Sequence, residues 1–157
     1  MKILIVYYSL GGNTEFIAQK IGDELNASIL RLEPVNDIEK KGFMRYVRGG
    51  KQVLFNSSPK LKNFDENLIE YDLIILGTPV WAGRYTPAFK TLFEKYKFDN
   101  KKLAIYCCHD GGKGKVFQKF RDNLPNAQII SEKEFERTSK NREKRGKEAV
   151  KWAKTLN

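Results

Sequence analysis

The sequence predicts an α/β fold in which a parallel sheet is wound on both faces by helices. Three observations predict it. Apolar, β-branched runs recur at residues 2–8, 71–77 and 102–108, as in strands buried on both faces. Segments with apolar residues at helical spacing lie between and after them. The two kinds of segment alternate along the whole chain, the pattern of a doubly wound sheet.

Residues 2–8 are the first strand. Asn13 or Thr14 opens a helix that reaches Leu25, with Phe16, Ile17, Ile21 and Leu25 as its apolar stripe. A weaker second strand covers 28–32. The third strand, 71–77, leads to a helix over 87–96 that turns Phe89, Leu92 and Phe93 inward. The fourth strand, 102–108, leads to a helix over 113–123. A short fifth strand covers 127–131, and a terminal helix covers 139–156 with Ser139 as its N-cap. Residues 33–67 break the rhythm. They contain Phe43, Met44, Tyr46, Val47, Val53, Leu54 and Phe55, which reads as a further helix broken at Gly49-Gly50. No repeat, low-complexity tract or domain boundary is apparent, so residues 1–157 read as one domain.

Hydrophobic residues make up 41% and charged residues 31%, a balance that excludes wholesale disorder. The net charge is +10, which favours acidic partners. The densest basic run, residues 140–154, is interleaved with Glu143, Glu148 and an apolar stripe, as in a docked helix. No zinc-finger spacing or RNA-binding motif accompanies the charge, so no nucleic-acid role is expected. The two cysteines, Cys107 and Cys108, are adjacent and too close to pair with each other, which fits a reducing compartment. They are expected to point to opposite faces of the fourth strand as packing residues. No run approaches the ~20 apolar residues of a membrane helix, and residues 3–8 are too short for a signal peptide. A cytoplasmic protein is the expectation.

Ligands of open parallel sheets bind beyond the carboxyl ends of the strands. Three loops there are unusual. In the first, Ser9-Leu10-Gly11-Gly12-Asn13-Thr14, two glycines bare the backbone N–H groups and three side chains add donors. The following helix aims its positive end at the loop, making an anion site suited to a phosphate. No lysine or arginine lies within it, so dipoles alone would neutralise the anion. The P-loop pattern is absent; the nearest string, Gly111-Gly112-Lys113-Gly114-Lys115, lacks the spacing and the hydroxyl. So is the dinucleotide fingerprint after the first strand. In the second loop, residues 77–87, Trp81 stands between two prolines, available either to stack on a planar ring or to pack as loop core. In the third, residues 107–114, glycines permit close backbone approach, and His109 is the chain's one histidine.

The first loop resembles the FMN-phosphate loop of the flavodoxin family, Ser/Thr-x-Thr/Ser-Gly-x-Thr, with Gly11 at the usual second hydroxyl position. The string Gly77-Thr78-Pro79-Val80-Trp81-Ala82-Gly83 resembles that family's second flavin loop. The resemblance implies a five-stranded parallel sheet in the order 2-1-3-4-5 and FMN as the cofactor. It implies that Ser9, Gly11, Gly12, Asn13 and Thr14 hold the phosphate. Thr78, Pro79, Val80, Trp81 and Gly83 would frame the isoalloxazine. Cys108, His109, Asp110, Gly111 and Gly112 would line its pyrimidine end. Arg84 stands where many relatives carry an acid, and His109 or Asp110 where many carry a tyrosine.

The resemblance implies an electron-transfer protein that docks with a redox partner. The alternative is an enzyme that oxidises NAD(P)H through FMN and reduces a quinone or similar acceptor. For that role Arg84 or the Lys101-Lys102 pair is available to a nucleotide phosphate. The residues offer no general acid–base pair, and flavin redox chemistry needs none. A receiver domain would need acids at the end of the first strand, where Tyr7, Tyr8 and Ser9 stand. A small tyrosine phosphatase would need a Cys-x5-Arg loop, which is absent.

Overall fold

The computed structural model describes residues 1–37, 57–64 and 66–156. The expected helix within 33–67 falls mostly on residues 38–56, outside the described residues. The remaining elements alternate as predicted: β1 (Ile3–Tyr7), α1 (Asn13–Leu25), β2 (Ser28–Arg31), β3 (Leu73–Pro79), α2 (Pro87–Lys95), β4 (Lys102–His109), α3 (Val116–Asn123), β5 (Gln128–Glu136) and α4 (Arg142–Ala153). Short 3-10 turns occupy Leu68–Glu70 and Lys154–Leu156.

All five strands are parallel, in the order β2-β1-β3-β4-β5. Side chains of a strand alternate between faces, so a strand apolar at every position feeds two cores. Leu4, Val6, Leu76, Ile105 and Cys107 pack on one face against Phe89 and Leu92 of α2 and Phe120 of α3. Ile5, Tyr7, Ile75, Tyr106 and Cys108 pack on the other against Ile17 and Ile21 of α1 and Trp152 of α4. The two cysteines thus point to opposite faces, both buried. Among the described residues no helix is long and apolar enough to cross a membrane.

Four of the boundaries that differ from the sequence reading have a clear physical reason. β3 runs two residues past Gly77, pairing Thr78 with Cys107 and Pro79 with Cys108. Proline is tolerated there because it ends the strand, and Val80 N–H takes up the ladder by donating to the Cys108 carbonyl (3.0 Å). β5 continues from 131 to Glu136. It is an edge strand with only Phe135 fully buried, so its charged residues carry no apolar signal. A bulge leaves Ile130 without a partner in β4. α3 starts at Val116, because Gly114 adopts φ +55° just before it. α4 starts at Arg142, with Asn141 rather than Ser139 in the N-cap position.

Candidate functional site

The carboxyl ends of β1, β3, β4 and β5 surround a cavity of about 710 Å³. Its walls carry eleven of the fifteen residues expected to bind: Ser9, Gly11, Asn13 and Thr14; Pro79, Val80 and Trp81; Cys108, His109, Asp110 and Gly111. The three loops singled out by sequence thus face one space.

The first loop is built as an anion cradle. Gly12 sits at φ +85°, a conformation costly for other residues, and its N–H donates to Ser9 Oγ at 3.0 Å. It is the N-cap of α1, and no side chain caps the helix. The amides of Asn13 and Thr14 therefore have no intrahelical acceptor. A Cβ added to Gly11 or Gly12 would meet nothing within 4 Å, so open space lies above the loop. The first-turn acid, Glu15, is drawn away: its carboxylate accepts from the Tyr7 hydroxyl (3.1 Å) and Arg31 (3.3 Å). Burial, reinforced by Glu15, pushes the Tyr7 phenol up to about 12, so it is a neutral donor. The same guanidinium donates to the Ser9 carbonyl at 3.0 Å. Dipoles are therefore not alone, because a cation from the neighbouring strand underlies the loop.

The second loop closes through a two-residue turn. Trp81 and Arg84 exchange both backbone hydrogen bonds, at 2.9 and 3.0 Å, and both central residues have positive φ, Ala82 at 48° and Gly83 at 72°. Trp81 packs edge-on against Tyr8, with centroids 5.5 Å apart. The Tyr8 hydroxyl donates to Asp37 at 2.7 Å.

In the third loop His109 is structural, not solvated. Its Nδ1 accepts the Gly112 N–H (3.0 Å), which places the ring proton on Nε2, 2.9 Å from Glu134. Lys113 holds the other Glu134 oxygen at 3.0 Å. This contact and His109 lower the carboxyl's pKa. The Cys108 thiol borders the cavity, and burial pushes it up to about 12.

Four expected residues do not line the cavity. Gly12 and Gly112 shape their loops from behind. Thr78 is fully buried on the opposite side of the strand, where its Oγ1 accepts the Thr86 N–H at 3.1 Å. Because β3 continues past Gly77, the pleat turns this side chain into the core. Gly83 packs against the third loop: its carbonyl accepts the Lys115 N–H (2.9 Å), and a Cβ on Gly114 would stand 2.5 Å from its Cα. Three lining residues lay outside the expected set: Leu10, Ala82 and Ser139. Ser139 belongs to a fourth loop, pinned where Arg137 N–H donates to the His109 carbonyl at 2.8 Å. Its signal was its place after a strand of the sheet, masked by its resemblance to an N-cap.

The arrangement can take an anion at the amino end of α1 and a flat ring between the second and third loops. Asp110 is the one carboxylate among the lining residues. Among the described residues no group of His, Cys, Asp and Glu is placed to hold a metal ion.

Residues 1–136 match the family model described as NADPH-dependent FMN reductase. A flavoprotein in complex with FMN from Lactobacillus acidophilus NCFM is 26% identical, with TM-score 0.71 over 90% of this chain and 97% of that one. A protein of Bacteroides uniformis ATCC 8492 is 19% identical and superposes with TM-score 0.82 over 98% and 97%. The two-electron reduced flavodoxin of Megasphaera elsdenii, 17% identical, gives 0.52 over 95% and 98%. The fold is that of the flavodoxins. No curated protein matches the sequence.

Proposed function

The chain belongs to the NADPH-dependent FMN reductase family, and we propose that it is an FMN-dependent oxidoreductase that oxidises NADPH and reduces a small acceptor such as a quinone. Sequence motifs alone placed an electron carrier first and this enzyme second; the family match favours the enzyme.

The cofactor is FMN. One observation carries its placement: the uncapped amides of α1 open onto the cavity above Gly11 and Gly12. Ser9, Asn13 and Thr14 would hold the phosphate, with Arg31 as the cation beneath. Pro79, Val80 and Trp81 would meet one side of the ring, and Asp110 and Gly111 its polar edge. When bound, FMN supplies hydride and electron transfer. The chain's own part is to bind, orient and exclude water. Of the cations named for a nucleotide phosphate, Arg84 is exposed, and its backbone pairs with that of the cavity residue Trp81. The Lys101-Lys102 pair is at the amino end of β4, away from the cavity, where Lys101 Nζ donates to the Ile69 and Tyr71 carbonyls.

Two measurements test the reading. FMN should bind orders of magnitude more tightly than riboflavin, since each charge-assisted bond is worth roughly 1.5–3 kcal/mol. The FMN-loaded protein should oxidise NADPH with a quinone at steady state, and Arg84→Glu should raise KM for NADPH. Equal affinity for riboflavin sinks the phosphate site. FMN binding with no NADPH turnover returns the protein to the carrier class.

A further inference from the structure

We infer that the groove between α1 and α4 is a docking surface for an acidic amphipathic helix of a partner protein. The groove measures about 690 Å³. Phe16 of α1 and Gly146 and Val150 of α4 contribute its apolar floor. The helices meet closely there: a Cβ on Gly146 would stand 3.4 Å from Phe16 Cζ.

Cations lie over the Phe16 ring and along the rest of this floor. The Arg142 guanidinium lies 4.6 Å from the Phe16 ring centroid and the Lys20 ammonium 5.9 Å from it, with Lys151 further along α4. The local acids are already engaged. Glu143 pairs with Lys147 at 2.6 Å, and Glu24 with Lys154 at 3.8 Å. Among the described residues no carboxylate pairs with Lys20, Arg142 or Lys151. From Arg142 to Lys151 the helix rises about 14 Å, enough to seat about two and a half turns of another helix.

An apolar floor between unneutralised cations is complementary to a helix with an apolar stripe flanked by carboxylates. A concave apolar floor fits a nucleic-acid backbone poorly, and a bilayer would require it to protrude. The net charge of +10 favours encounter with an acidic protein. Phe16 follows the cavity residues Asn13 and Thr14, and Arg142 follows Ser139. A helix seated in the groove therefore ends beside the cavity. Calling it a redox partner rests on the proposed function; the docking itself does not.

The test uses the full chain and a fluorescently labelled helical peptide of about fourteen residues, with leucines along one face and glutamates on both flanks. A scrambled peptide of the same composition, phosphatidylglycerol vesicles and a single-stranded oligonucleotide are the comparators. The patterned peptide should bind at least about tenfold more tightly than the scrambled one. Lys20→Glu/Lys151→Glu should remove about tenfold of that affinity, whereas Lys144→Glu, which lies off the groove, should not. Should the double variant melt early, Lys151→Glu alone should still cost about threefold. FMN affinity of these variants, measured in parallel, should stay unchanged, which separates this inference from the FMN assignment. Equal binding of both peptides, equal loss in Lys144→Glu, or tighter binding of vesicles or oligonucleotide would overturn it.

Discussion

The Tyr106 hydroxyl donates to the Thr14 carbonyl across 2.9 Å, tying β4 to the first turn of α1. The fully buried ring reaches α1 by crossing over Gly77 of the intervening strand. A Cβ at Gly77 would stand 2.1 Å from Tyr106 Cζ. The position of the anion loop thus depends on an absent side chain in β3, the strand beside β1.

Gly77→Ala should therefore destabilise the protein by about 3 kcal/mol, the upper end of the usual cost of overpacking a core. Tyr106→Phe should cost only about 1 kcal/mol, one hydrogen bond. Urea unfolding of both variants checks the order. A Gly77→Ala protein as stable as wild type would mean that Tyr106 does not cross there.

Thr14, in the first turn of α1, and Thr78, near the end of β3, are both buried threonines, yet they face different places. Thr14 borders the cavity at the amino end of α1. Thr78 accepts the Thr86 N–H and donates to the Pro79 carbonyl at 2.9 Å. Thr14→Ala should weaken FMN about tenfold, the loss of one good hydrogen bond to a charged group. Thr78→Ala should leave FMN affinity within about twofold. It should instead cost about 1–3 kcal/mol of stability, because the Thr86 amide is left buried and unpaired. Isothermal titration together with urea unfolding would expose a reversed pattern.

Cys108 links the cavity wall to stability at high pH. Its folded pKa is raised from 9.0 to about 12, so the unfolded chain ionises first as pH rises. Stability from this group is complete below pH 9 and is lost as pH climbs through 12. At about 1.4 kcal/mol per pH unit in that window, this group alone should cost the fold about 3 kcal/mol between pH 8 and pH 11. Tyr7, raised from 10.0 to about 12, adds to the loss above pH 10. Cys107, buried on the other face of β4, is also held above 9.0 by burial and loses stability over the same window, so Cys108→Ala should about halve the slope between pH 9 and 10. Native protein at pH 8 should resist alkylation at both cysteines, because burial holds both thiols protonated. Rapid labelling would contradict their placement.

What could be read in the sequence and what could not divides along local and non-local lines. The strand β1, the Gly11-Gly12 turn and the Trp81 loop are written in contiguous residues, so their place at the sheet edge followed from pattern alone. Thr78 was misplaced because its direction depends on strand parity, and apolar content did not reveal that β3 runs on to Pro79. The length of β5 was hidden because an edge strand is half solvated. Ser139 was hidden in turn, since its position in the cavity wall depends on where β5 ends. Arg31 reaches the first loop from another strand, over a separation no local motif encodes.

His109 is the clearest such case, and it yields a prediction. A lone histidine in a glycine-rich loop reads as solvated. Here its side chain is only 6% exposed, because Glu134 of the extended β5 stands opposite Nε2. The ring then presents Nδ1 to the Gly112 amide and fixes the loop that carries Asp110 and Gly111 into the cavity. Removing the ring should release that loop more than it unfolds the protein, since Gly112 is exposed and water can take its amide. His109→Ala should weaken FMN by about five- to tenfold, roughly 1 kcal/mol of lost preorganisation. Glu134→Gln keeps an acceptor for Nε2–H and removes only an exposed ion pair with Lys113, so its effect should stay within about threefold. Fluorescence titration of FMN against both variants, with melting temperatures as the control, separates the two roles. An unchanged affinity in His109→Ala would show that the third loop holds its shape without the imidazole. A larger loss in Glu134→Gln than in His109→Ala would move the role from the ring to the charge.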